Sequence, residues 1–119
     1  MDISGMIAEV RRNPEFYKAG MLLVHNGVVR ATSRDGRRVK GLRVGVDHPR
    51  LDRILAEQRN RQGIIDIRVA IAEERDLSVG DDVMVLIVTG DIRENVIAVL
   101  TDTLNLIKTT VTEKTEYFV

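Results

Sequence analysis

The sequence contains no cysteine and no tryptophan. Without thiols there is no disulfide, no thiolate metal site and no cysteine nucleophile. Its aromatic residues are two Tyr and two Phe, too few for an exposed platform on which nucleobases could stack. Neither sign of charge is in excess: 18 Lys and Arg balance 18 Asp and Glu. Net charge therefore supplies no pull towards nucleic acid or an anionic membrane. The longest apolar run, Val83 to Val88, has six residues, far short of the ~20 that a spanning helix needs. The opening MDISGMIAEVRR has neither the basic start nor the apolar centre of a signal peptide. Together these features predict a cytoplasmic protein that engages neither nucleic acid nor membrane.

What is present fits one domain spanning residues 1–119. No internal repeat, linker or low-complexity stretch interrupts it. Ile3, Met6, Ile7 and Val10 recur at helical spacing, and Asn13-Pro14 ends that helix. MLLVHNGVVRAT reads as a long strand broken at Asn26-Gly27, where a bulge is expected. Asp35-Gly36 signals a hairpin turn into a strand at Val39 to Val46, with Leu42, Val44 and Val46 on one face. Asp47-His48-Pro49 opens a second helix, for which Gly63 is a candidate C-terminal cap. A strand follows at 64–72, with Ile65, Ile67, Val69 and Ile71 assigned to one face. Val83 to Val88 reads as a strand buried on both faces. Asp91 and Glu94 then stand at capping-box spacing before a long helix with the stripe Ile92, Val96, Val99, Leu100, Leu104 and Ile107. The tail TTVTEKTEYFV alternates weakly, as a short edge strand would. This order predicts an α+β fold with a mainly antiparallel sheet and about three helices.

Several cations stand where chemistry is conceivable. Arg93 falls in the first turn of the long helix, where backbone N–H groups and a guanidinium fork can together hold an anion; on position alone, pairing with Glu94, Asp91 or a neighbouring acid is the plainer explanation. Arg30 follows the suspected bulge as either an anion ligand or a solvated strand-end charge. Lys108 near the helix C-terminus complements the helix dipole, whereas a catalytic role needs burial or a cationic neighbour. Lys114 lies in a polar tail. Arg34, Arg37, Arg38, Lys40 and Arg43 cluster on the hairpin, suited to an acidic partner or to solvent. His25 and His48 have no metal-ligand spacing; His25 reads as a core or edge histidine and His48 as a contact to its helix start. No phosphate loop, dinucleotide fingerprint or other cofactor motif is present. Arg93 and Lys108 are fifteen residues apart, about 22 Å along a continuous helix. Either the helix breaks, or one site takes them from two copies of the chain.

The segments GMLLVHNGVVR, LRVGVDHPRLDRILAE, LSVGDDVMVLIVTGDIREN and LTDTLNLIKTTVTEKTEYF, in this order, resemble the large, catalytic subunit of molybdopterin synthase across residues 19–118. Residues 1–18, the N-terminal helix and its connection, fall outside the resemblance. The matching positions are Gly27 and Arg30, Gly80-Asp81, Arg93, Lys108 and, with a one-residue shift, Lys114. The resemblance departs at Ile92, where the family has histidine, and at Ala72-Glu73-Glu74-Arg75, where a second family histidine is missing. His25 replaces a family aromatic, and the family tryptophan is absent.

The resemblance implies an α/β-hammerhead fold and a homodimer. It further implies a small ubiquitin-like sulfur-carrier subunit whose C-terminal Gly-Gly thiocarboxylate inserts into the large subunit. Sulfur would pass from that tail to cyclic pyranopterin monophosphate, with Lys108 the principal catalytic residue and Lys114 assisting. Arg30 and Arg93 would bind the anionic substrate beside Asn26 and Gly27, each site drawing on both protomers. No resident metal or cofactor is implied. The second reading left open is a non-catalytic dimeric paralogue that binds an anion, a pterin or a ubiquitin-like partner's tail.

Overall fold

The computed structural model describes all 119 residues. Helix α1 covers Ile3–Arg11 and leads through a short 3-10 turn into strand β1, Met21–Val28. Then follow β2 (Val39–Val46), α2 (His48–Arg59), β3 (Ile64–Ile71), the two-residue β4 (Leu77–Ser78), β5 (Asp82–Gly90), α3 (Arg93–Leu106) and β6 (Thr112–Phe118). A π-helical segment, Ile107–Val111, joins α3 to β6. The architecture is α+β with three helices, and every strand pairing is antiparallel.

The strands form two sheets, ordered β1-β5-β3 and β4-β2-β6. β5 is the organising strand because it is apolar on both faces. Met84, Leu86 and Val88 point into the main core with α2 and α3, against Leu51, Ile54, Leu55, Val96, Val99 and Ile107. Val85 and Ile87 point the other way, onto Val10 of α1 with Ile3, Met6, Ile7 and Phe16 around it. The period-two alternation of a strand divides the run Met84 to Val88 between these two layers. The second sheet has its own small core of Val29, Leu42, Val44, Ala72 and Leu77.

The structure corrects several local readings. The turn at Asp35-Gly36 forms, with Thr32 bridged to Arg38 and Gly36 at φ +87°, but the strands it joins part company. β1 pairs with β5, and β2 with β4 and β6, because β1 finds its apolar partner in β5, away from the turn. Asp91 is not the helix cap. Ile92 holds that position without a side-chain cap bond, while Asp91 Oδ1 accepts from the Ile92 N–H at 2.7 Å and Asn95 Nδ2 at 2.9 Å. Asn60, not Gly63, caps α2; Gly63, at φ +78°, packs against Asp91 and Asn95 where a Cβ would collide. An irregularity between Ile64 and Asp66 resets the register of β3, so Ile64 rather than Ile65 joins Val69 and Ile71 against the main core. The expected bulge in β1 is present between Gly27 and Val28.

Candidate functional site

The two sheets leave a cleft between them, with a volume of about 380 Å³. Its inner wall is apolar: Leu42 and Val44 from β2, Ile71 from β3, Val83 and Met84 from β5. The bulged end of β1 supplies His25, Gly27 and Val28. Lys108 enters from the π segment, Thr112 and Lys114 from β6, and Arg34 from the turn after β1. The cleft opens into a polar groove of about 590 Å³ lined also by Arg30, Thr32, Ser33 and Glu116.

Each cation reaches this place for a local reason. The bulge ends β1 at Val28, and the chain then crosses towards the second sheet. Arg30 follows, its Nε donating to the Thr32 carbonyl at 2.8 Å. Ser33 organises the next turn: its hydroxyl pairs with Asp35, and its N–H donates to the Arg37 carbonyl at 2.9 Å. That turn folds Arg34 back over the groove. The π segment carries Lys108 past the end of α3, between the buried Ile107 and Val111. Period-two alternation along β6 then aims Thr112, Lys114 and Glu116 at the same side. Glu116 is the one carboxylate in the lining, and it pairs with Lys114 at 3.8 Å. Four cations around a single carboxylate give the groove a lining suited to an anion, and its floor is apolar.

Thus Gly27, Arg30, Lys108 and Lys114 come together, and Asn26 and Arg93 do not join them. Alternation turns Asn26 away from its neighbours, where Nδ2 donates to Asp82 Oδ1 at 3.2 Å and to the Met84 carbonyl at 3.5 Å. Arg93 stands at the opposite end of α3, its side chain 79% exposed and 3.2 Å from Glu94. The π segment ends α3 before Lys108, but this break does not bring Arg93 to the cleft. Two lining residues escaped the sequence reading. Arg34 looked like any other hairpin charge, since nothing local reports where a turn folds back. His25 looked like a strand histidine. In the cleft, burial, assisted by the charge of Lys108, holds its imidazole below its ordinary pKa.

The sequence profile of the MoaE protein family matches residues 1–110. The match includes α1 and Lys108 and stops before Lys114. Among curated proteins none matches the sequence. The fold is similar to that of the molybdopterin biosynthesis MoaE protein of Burkholderia ambifaria, at 22% identity over 100% of this chain and 82% of that one, TM-score 0.77. It is similar also to molybdopterin cofactor biosynthesis protein E of Burkholderia multivorans, at 25% identity over 100% and 84%, TM-score 0.76. A third similar structure, a complex of subunits 1 and 2 of the molybdopterin-converting factor of Helicobacter pylori, is 14% identical over 100% and 84%, TM-score 0.72. With the family match running through residues 1–110 and the fold shared along the whole chain, the protein belongs to the MoaE family of molybdopterin synthase large subunits.

Proposed function

We propose that this chain is the catalytic subunit of a molybdopterin synthase, passing sulfur from the C-terminal thiocarboxylate of a small ubiquitin-like subunit to cyclic pyranopterin monophosphate. Membership of the MoaE family supports a role in molybdenum cofactor biosynthesis. The two-subunit complex among the structural relatives supports a small-subunit partner. The observation that carries the reading is the convergence of Arg30, Arg34, Lys108 and Lys114 on one groove with a single carboxylate. The arginines suit the substrate phosphate, which a guanidinium meets with two parallel hydrogen bonds. Gly27 leaves the bulge open for a Gly-Gly tail. Lys108, at the join of apolar cleft and polar groove, is placed to hand a proton to a departing oxygen or to take one back. Lys114 assists from β6, and Asn26 holds the bulge through Asp82. Arg93 is too far along its own helix and serves the site of a second protomer in a homodimer.

The test is reconstitution with a thiocarboxylated small subunit and the pyranopterin substrate. Wild type forms product, and Lys108→Ala lowers the rate by roughly 100-fold or more, the scale of a lost acid–base group. Equal product from both, or none from either, overturns the assignment. One observation favours the second reading, a non-catalytic dimeric paralogue. Ile92, 53% exposed, offers no proton-transfer group where the resemblance expects histidine. On that reading the pterin binds but is not converted.

A further inference from the structure

The turn that carries Arg34 is anchored from outside the groove. Within it, the Ser33 N–H donates to the Arg37 carbonyl at 2.9 Å and the Gly36 N–H to the Ser33 carbonyl at 3.0 Å. The Arg37 N–H donates to Ser33 Oγ at 3.1 Å, and the Ser33 hydroxyl engages Asp35. Asp35 is the only acid among residues 30–40, where Arg30, Arg34, Arg37, Arg38 and Lys40 also stand. Like charges at this density repel one another, so the turn needs a hold beyond its own hydrogen bonds. The far end of β6 supplies it. Phe118 stands opposite Val39 in the register, and the Val119 N–H donates to the Arg38 carbonyl at 3.1 Å. The Arg37 guanidinium lies over the Phe118 ring, 3.6 Å from its centroid, well within the range of a cation held on an aromatic face. Arg37 is thus turned to the ring, while Arg34 lines both the cleft and the groove.

We propose that Phe118 is a positioning residue for Arg34: by holding Arg37 on its ring, it fixes the turn that presents Arg34 to an anion in the groove. The inference rests on the reading of the groove as the place of a phosphate-bearing substrate, and adds to it a residue that does not line the groove. The hold passes from the ring to Arg37, from the Arg37 backbone to Ser33, and from Ser33 to its neighbour Arg34. Without the ring, the Arg37 guanidinium swings free among four other cations, and the turn no longer keeps Arg34 in one place. Lys108 feels none of this, because the π segment joins β6 at the end opposite Phe118. Loss of the ring should therefore weaken substrate binding and leave the chemical step alone, which reads as a higher KM at unchanged kcat.

Two measurements test this. Calorimetric titration with cyclic pyranopterin monophosphate compares wild type, Arg34→Gln, Phe118→Leu and the double variant. Arg34→Gln should weaken binding about tenfold or more, the scale of a lost charged hydrogen bond. Phe118→Leu keeps apolar bulk in the strand without an aromatic face, and should weaken binding about threefold. Arg37→Gln, at an exposed position, should do the same, and Phe118→Tyr should keep the wild-type affinity. In the Arg34→Gln background, Phe118→Leu should weaken nothing further. Equal weakening in both backgrounds, or none in the wild-type background, overturns the proposal. So does a Phe118→Leu chain that loses kcat in the reconstituted reaction while keeping its KM. The second measurement is amide hydrogen exchange of the free protein. Phe118→Leu should speed exchange at Gly36 and Arg37, whose N–H groups are bonded to Ser33, and leave the amides of β5 unchanged. Unaltered exchange at Gly36 and Arg37 overturns the proposal whether or not the protein is active. A wild type that binds no pterin defeats the sulfur-transfer reading instead, and the exchange rates, with the same comparison run on inorganic phosphate, then decide the role of Phe118.

Discussion

At the scale of single residues, His48 shows how a surface pair couples the start of α2 to the segment after β3. Its Nε2 lies 2.6 Å from Glu73 Oε1. The hydrogen bond to Glu73, then that residue's charge, raises the His48 pKa above its usual 6.5. A histidine raised by folding stabilises the native state fully below its unfolded pKa and loses that contribution as pH climbs through the folded value. The urea midpoint difference between wild type and His48→Gln should therefore be larger at about pH 6 than at about pH 9. Equal differences at both would show that the pair contributes nothing pH-dependent. Sequence alone placed His48 at its helix start but could not supply Glu73, twenty-five positions away. The same limit explains His25 and Arg34. Lys108 and Lys114 were brought together only by the family resemblance, since position alone left each as an ordinary charge, and a histidine on β1 and an arginine in a turn meet them only through tertiary folding.

At the scale of elements, β5 takes two layers of the molecule in one strand, so its side chains should report both. Ile87 is fully buried under α1, and Ile87→Ala should cost about 2–5 kcal/mol. Ile97, on the outer face of α3, is 47% exposed, and Ile97→Ala should stay within about 0.5 kcal/mol. Denaturant unfolding checks both, and comparable losses would contradict the packing described for α3. The existence and burial of β5 were readable because an unbroken apolar run has few other homes. The three helices and the β1 bulge were readable from spacing and from Asn26-Gly27. Strand partners were not. A turn signal such as Asp35-Gly36 fixes four or five residues, while the choice between β2 and β5 as the mate of β1 depends on apolar surface contributed from sixty residues away. The cap of α3 failed for a related reason: Asp91 has its carboxylate drawn to Asn95 and its N–H to the Gly63 carbonyl, which leaves Ile92 to turn the chain.

At the scale of the whole molecule, an elongated body of 48 × 26 × 24 Å separates the Lys108 cleft from the Arg93 end of α3. If a dimer completes each site, two defective subunits should repair one another. Mixing Arg93→Ala and Lys108→Ala chains and letting them exchange leaves one intact site in each mixed dimer, hence about a quarter of the wild-type activity by random pairing. Activity no greater than the sum of the two mutants measured separately would confine each site to one chain. The π segment Ile107–Val111 has a consequence for how the chain tolerates change in length. A wide turn of this kind stores one residue more than an α-helical turn, and the strand that leaves it presents alternate residues to the groove. Deleting Thr109 or Thr110 while α3 keeps its place would slip β6 by one place along β2 and exchange its two faces. Lys114 would then look outwards, and Thr115 would take its place. The segment works as a parity setter. The number of residues between α3 and β6, more than their identity, decides whether the groove keeps its second lysine.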